Sequence, residues 1–275
     1  MISTLDWIAL PLFVPADRPD RFLKAFSSGA DAVILDLEDA VSPDRKGVAR
    51  AALAAARDVI DGAVRPVLVR VNAVGTPWHA DDMAAVAALP LAGVVLPKAE
   101  SAADVAEAAR MTGVPVMALI ESARGIAAAR DTARVAARIA FGSIDFASDL
   151  GCGHSREALL AARGELVLAS RLAGLAGPLD GVTTAYGDAV AVEDDARYAS
   201  LLGFSGKLLI HPSQIAPARA GFMPSAEERA WVERVLAADR EGGAVAIDGA
   251  MVDAPVRLRA EAIMHRVAAG EGRSR

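Results

Sequence analysis

Three carboxylates, Asp36, Glu38 and Asp39, fall within four residues at the end of the apolar run DAVILDL (31–37). Mutual repulsion makes such crowding costly unless a cation or a hydrogen-bond network offsets it. Two further acids close consecutive apolar runs later in the chain: Glu121 in PVMALIE (115–121) and Asp145 in RIAFGSID (138–145). A carboxylate pair completed by water and substrate oxygens suits a hard octahedral cation such as Mg²⁺. No His or Cys cluster has zinc spacing. Taken singly, each acid reads equally well as the cap of a following helix. Arg70 lies inside PVLVRVN (66–72), an otherwise core-like run. A charge there needs an acidic partner, so it is either a structural ion pair or a guanidinium aimed at a substrate oxyanion.

The remaining polar residues at these run ends leave two readings each. Lys98 of GVVLPK (93–98) is a Schiff-base amine or a salt-bridged rim lysine. His211 of GKLLIHP (206–212) is a general base or a hydrogen-bonded strand-end residue. Arg18 and Lys24 meet phosphates or form a solvated helix face, and Cys152, between two glycines, is a bystander.

Something must hold these residues together. Eight short apolar runs recur, starting at WIALPLFV (7–14) and including DGVTTAY (180–186), each followed by an Ala-rich segment with helical spacing. Strands with so little polar alternation are buried on both faces, as in a parallel sheet covered by helices. Eight such repeats predict an α/β fold, a (β/α)₈ TIM barrel over residues 1–224, with a doubly wound open sheet as the alternative. In such barrels chemistry sits at the C-terminal strand ends, where these acids and bases collect. Residues 225–275 then predict a last barrel helix capped at Ser225, a short Gly-bounded strand or hairpin and a final helix. That is more chain than a barrel needs to close.

Composition narrows the partners. The 275 residues carry 29 Lys and Arg against 35 Asp and Glu, a net charge of −6, and no basic tract stands out. This argues against nucleic acid or an anionic membrane as the main partner. No apolar run reaches bilayer length. The single cysteine excludes an intrachain disulfide and favours a reducing compartment. MISTLDWIAL lacks the basic and apolar regions of a signal peptide, so a cytoplasmic location is expected.

The segments LFVPADRPDRFLKAFSSGADAVILDLEDAVSPDRK, LVRVN, VVLPKAES, ALIESARG, FGSIDFASDLG, GKLLIHPSQI and MVDAPV resemble the HpcH/HpaI aldolase/citrate lyase β-subunit family, in its malyl-CoA and citramalyl-CoA lyase-like branch. The likeness runs nearly the whole chain, in order. It implies a Mg²⁺-dependent (Mn²⁺ being possible) carbon–carbon lyase that cleaves or forms a 3-hydroxyacyl-CoA, with CoA as part of the substrate and a 2-oxo acid as the other half. It also implies a homo-oligomer, a trimer or hexamer. By that resemblance Glu121 and Asp145 are metal ligands, and Glu38 and Asp39 hold the surrounding hydrogen-bond network. Arg70 binds substrate oxygens, and Phe13, Arg18 and Lys24 contact the CoA portion. Asp253 of MVDAP is a catalytic acid on the C-terminal segment that reaches a neighbouring subunit's site. Ala16 stands where the family often has glycine, and the tail is compact. Other activities in reach are a class II aldolase on free 2-oxo acids, a malyl-CoA thioesterase and a β subunit dependent on a carrier protein.

Overall fold

The computed structural model describes residues 3–238, with 245–247, 250–252, 254–258, 260–261 and 263–264. Eight parallel strands run in chain order: β1 (Pro11–Pro15), β2 (Ala32–Asp36), β3 (Val67–Arg70), β4 (Gly93–Leu96), β5 (Val116–Ile120), β6 (Arg138–Phe141), β7 (Leu179–Asp180) and β8 (Gly206–Lys207). The ring returns on itself where Lys207 and Leu209 donate to the Ala9 and Pro11 carbonyls and Phe13 donates to Leu209. Helices alternate with the strands, so the (β/α)₈ reading holds and the open sheet does not.

The apolar runs lack alternation because both strand faces are buried. Ala32, Ile34, Leu68, Val95, Met117, Leu119 and Ala140 pack with Leu5 and Ile8 in one cluster. Their strand neighbours Val33, Leu35, Val67, Val69, Val94 and Leu96 belong to a second, with residues of the surrounding helices. Each large apolar side chain removed from water contributes about 1.5–3 kcal/mol. Register matters most at the rim: Pro15 lies opposite Asp36, and Asp36 opposite Arg70. Neighbouring parallel strands therefore bring an acid and a guanidinium side by side.

Several boundaries differ from the sequence expectations. The first run begins in a 3₁₀ turn, Thr4–Trp7, and β1 starts only at Pro11. At the run 180–186 the strand is only Leu179–Asp180, and beyond it Thr183 bonds Asp195 and accepts from Gln214. β6 ends at Phe141, and the helix Ser143–Leu150 then carries Asp145 in its first turn. Strand β8 can lie against the chain entering β1 because residue 206 is glycine; a Cβ there would overlap the Ala9 backbone.

Beyond the barrel, the helix Ala226–Ala238 starts with a capping box: Glu228 N–H donates to Ser225 Oγ (3.0 Å) and Ser225 N–H to Glu228 Oε2 (2.9 Å). An antiparallel pair follows, β9 (Val245–Ile247) and β10 (Ala250–Val252). Val232, Val235, Val252, Ala260 and Ile263 form their own apolar cluster. Among the described residues no helix is long and apolar enough to cross a membrane.

Candidate active site

The carboxylate cluster after β2 is held by cations and amides. Arg70 donates from Nε to Asp36 Oδ1 (2.7 Å) and from Nη2 to Asp36 Oδ2 (2.6 Å), a two-pronged buried pair. The same Asp36 accepts from the N–H groups of Glu38 (2.9 Å) and Ala40 (3.0 Å), which curls the acidic loop around it. Arg70 Nη1 also faces Glu38 Oε2 (3.0 Å) and Asp39 Oδ2 (3.4 Å), and its Cζ lies 4.7 Å from the Phe13 ring centroid. Burial by itself would lower the guanidinium pKa, but the surrounding acids outweigh it and raise it. Arg70 stays charged.

Two lysines complete the frame. Lys46 is buried and donates to the Leu37 and Glu38 carbonyls (2.6 and 2.7 Å), anchoring the loop from below. Lys98 Nζ lies 3.2 Å from Glu38 Oε1. Burial nonetheless holds the Glu38 carboxyl above the usual range, with Asp39 adding to the effect and Arg70 and Lys98 opposing it.

Glu121 is different. It is buried at the end of β5 and accepts one hydrogen bond, from the Lys98 N–H to Oε1 (2.7 Å). Its pKa is pushed up to about 8 by burial first, then by Glu38 and Asp145. Glycine at 142 leaves space for the carboxyl; a Cβ there would overlap Oε2. Among the described residues neither Glu121 nor Asp145 forms an ion pair with Lys, Arg or His, in contrast to Asp36 and Glu38.

A cavity of about 480 Å³ opens among these groups. Asp39, Arg70, Glu121 and Asp145 line it with Phe13, and Leu119, Phe141, Val182, Leu208 and Ile210 supply apolar wall. Glu38 sits beside it through Arg70 and Lys98. A second cavity of about 360 Å³ shares Phe13 and Ile210 and is lined by Arg21, Lys24 and His211. Arg18 lines neither; it is exposed and paired with Asp20 at 2.9 Å. His211 bonds Ser213 (2.7 Å) and stacks on Tyr186 at 4.9 Å. Asp253 lies outside the described residues. The sequence reading missed the clamp role of Asp36, the cradle at Gly142 and the lysine beneath the loop. A glycine just before SID was the one visible signal for the cradle.

The donor set fits a divalent ion. Glu121, buried, and Asp145, half-buried, share a cavity and make no ion pair with Lys, Arg or His among the described residues; burial and the neighbouring acids raise the Glu121 pKa, and Gly142 leaves space beside its carboxyl. Among the described residues there is no cluster of three or more His, Cys, Asp or Glu suited to a metal. Two protein ligands, with the remaining positions left to water and substrate, is the way Mg²⁺ is commonly held.

A stability test follows from Glu121. Its raised pKa makes the contribution of this group to stability fully present below the unfolded carboxyl value, about 4.3. That contribution is lost as pH rises through about 8. Glu121→Gln removes the titration and keeps the acceptor for the Lys98 N–H. In a chelator-containing buffer the variant should therefore gain thermal stability relative to the parent across roughly pH 5 to 8. Parallel melting curves over that range would contradict it. Adding Mg²⁺ should stabilise only the parent.

The fold and its rim define a class: a (β/α)₈ barrel that gathers carboxylates around one guanidinium at the C-terminal strand ends, beside an apolar cavity. Residues 10–212 match the HpcH/HpaI aldolase/citrate lyase family, and the chain belongs to it. A citrate lyase subunit beta-like protein of Mycobacterium tuberculosis is 43% identical over 274 residues, 96% of each chain. A (3S)-malyl-CoA thioesterase of Cereibacter sphaeroides is 36% identical over 253 residues, 88% of each. The crystal structure of the M. tuberculosis protein CitE in complex with magnesium, acetoacetate and coenzyme A superposes with a TM-score of 0.85 at 39% identity, covering 94% of this chain and 98% of that one.

Proposed function

We propose that this protein is a Mg²⁺-dependent carbon–carbon lyase that cleaves or forms a 3-hydroxyacyl-CoA of the malyl-, citramalyl- or citryl-CoA kind, with a 2-oxo acid as one product. One observation carries the reading: Glu121 and Asp145, two carboxylates that form no ion pair with Lys, Arg or His among the described residues, share a cavity with Arg70. Glu121 and Asp145 would hold the ion, which when bound supplies Lewis-acid polarisation of the oxo-acid carbonyl.

The chain's own residues do the rest. Arg70, locked in plane by Asp36 and backed by Phe13, offers its guanidinium edge to negative charge developing on a substrate oxygen. Asp39, whose side chain is 60% exposed, lines the cavity and with Glu38 maintains the hydrogen-bond network around Arg70. The apolar wall of Leu119, Phe141, Val182 and Leu208 excludes water from an acyl-CoA enolate. Lys24 and Arg21, lining the adjoining cavity, are placed for the CoA phosphates, whereas Arg18 is engaged by Asp20. Asp253, reaching over from a neighbouring subunit of a cytoplasmic homotrimer or hexamer, would deliver or remove the proton at the enolate carbon.

Relatives support the reading: M. tuberculosis CitE has been crystallised with magnesium and pyruvate and, separately, with magnesium, acetoacetate and coenzyme A. Thioester hydrolysis is the second reading, favoured by the malyl-CoA thioesterase relative. Purified protein incubated with Mg²⁺ and a panel of malyl-, citramalyl- and citryl-CoA should yield an acyl-CoA and a 2-oxo acid by mass. Free CoA with an intact hydroxy acid would instead support hydrolysis. No product from any member of the panel would overturn both readings.

A further inference from the structure

Among the described residues Lys98 is the one non-glycine position with a left-handed backbone, at φ 46°. That conformation crowds a Cβ against its own carbonyl and is disfavoured for lysine. It persists only where the surroundings hold it, and such outliers concentrate at functional sites. Here the surroundings are specific. The Lys98 N–H donates to Glu121 Oε1 at 2.7 Å, and Lys98 Nζ donates to Glu38 Oε1 at 3.2 Å. The next residue, Ala99, donates to Leu119 at 3.1 Å, so the chain is tied back to β5 immediately after the turn. With Ala99 held, an extended or right-handed backbone at 98 would rotate the N–H away from Glu121.

We infer that Lys98 is a positioning residue for the ion site. Its left-handed turn aims one amide at Oε1 of Glu121 and thereby presents Oε2, in the space that Gly142 leaves, to a divalent cation. Its ammonium pins Glu38 within the same network. The inference rests on the reading of Glu121 as an ion ligand and adds a claim about what orients it: tolerance of the left-handed backbone at 98, rather than positive charge there, governs ion affinity.

The test uses the full-length protein and Mn²⁺ alone, with free ion followed by electron paramagnetic resonance and folding checked by melting. Lys98→Gly and Lys98→Asn remove the charge but accept a left-handed backbone, and each should bind within about twofold of the parent. Lys98→Val also removes the charge but resists that backbone. It should bind about 10- to 100-fold more weakly, the usual loss when the partner behind a metal ligand is removed. Lys98→Ala, which has the same left-handed cost as lysine without the charge, should also bind within about twofold, and Lys98→Thr serves if the valine variant does not fold. Equal losses for glycine and valine would overturn the inference, as would parent-like affinity in the valine or threonine variant. Glu121→Gln, run in parallel, separates the layers. If it binds Mn²⁺ like the parent, the ligand reading fails and takes this one with it. If it loses binding while the Lys98 series stays flat, only the positioning role fails.

Discussion

Replacing Asp145 with alanine is expected to abolish Mg²⁺-dependent turnover, with a loss of at least about 10³-fold, the scale of several kcal/mol of transition-state stabilisation. Asp145 sits in the first turn of the helix Ser143–Leu150 and lines the same cavity as Glu121. Without it Glu121 is the one carboxylate lining that cavity, among the described residues, that is not already paired with Arg70, and one carboxylate holds Mg²⁺ weakly. The fold should not suffer. Asp145 raises the Glu121 pKa by its charge, so its removal relieves repulsion in the metal-free protein. The variant should melt at or above the parent in chelator, while acyl-CoA release from the hydroxyacyl-CoA panel falls to background. Full activity of the variant after chelation would refute the assignment of Asp145 to the ion.

Arg70→Met is expected to act on both stability and activity. The guanidinium is the shared partner of Asp36, Glu38 and Asp39, and Asp36 and Glu38 are buried. Methionine fills much of the volume beside Phe13 but leaves those carboxylates without the cation. Breaking a buried pair from one side costs about 3–5 kcal/mol, most of it the burden of the stranded charge. In a barrel of this size that corresponds to a fall in melting temperature of about 10 °C. Urea unfolding of variant and parent measures it. Lowering the pH should narrow the gap, because Glu38, whose carboxyl burial holds above the usual range, no longer needs the cation once protonated. A variant that unfolds with the parent would show that the rim does not depend on this pair. Arg70→Lys should recover part of the stability but little turnover, since an ammonium cannot reproduce the two-pronged contact with Asp36.

The two predictions differ because the two acid sets differ. Asp36 is neutralised by a cation within the protein and serves the architecture of the rim. Glu121 and Asp145 make no such ion pair among the described residues, and under the proposed function they would take an ion supplied from outside. Both kinds look alike as letters at the ends of apolar runs. Lys98 and Arg138 make the same point for cations: one extends from the rim toward Glu38, while the other is fully buried, donating to the Leu5 and Gly177 carbonyls and to Ser205.

Much of the architecture was legible in the chain alone. A strand buried on both faces must be apolar throughout, so VILDL, VLVR, VVL and VMALI announce a parallel sheet, and the Ala-rich segments between them announce covering helices. Because polar residues in such strands are tolerated chiefly at the ends, the gathering of Asp36, Arg70 and Glu121 at one rim could also be read. What sequence could not decide depends on contacts between residues far apart. The pairing of Asp36 with Arg70 comes from strand register. β7 is two residues long, and Thr183 beyond it bonds Asp195 and Gln214, both distant in sequence. Arg18 pairs with Asp20 and lines neither cavity, and the left-handed turn at Lys98 stands between hydrogen bonds to Glu121 and to Leu119. Local composition determines which faces are buried, because burial is a property of each side chain. Which charges meet is set by register, packing and backbone torsion, and only the assembled barrel specifies those.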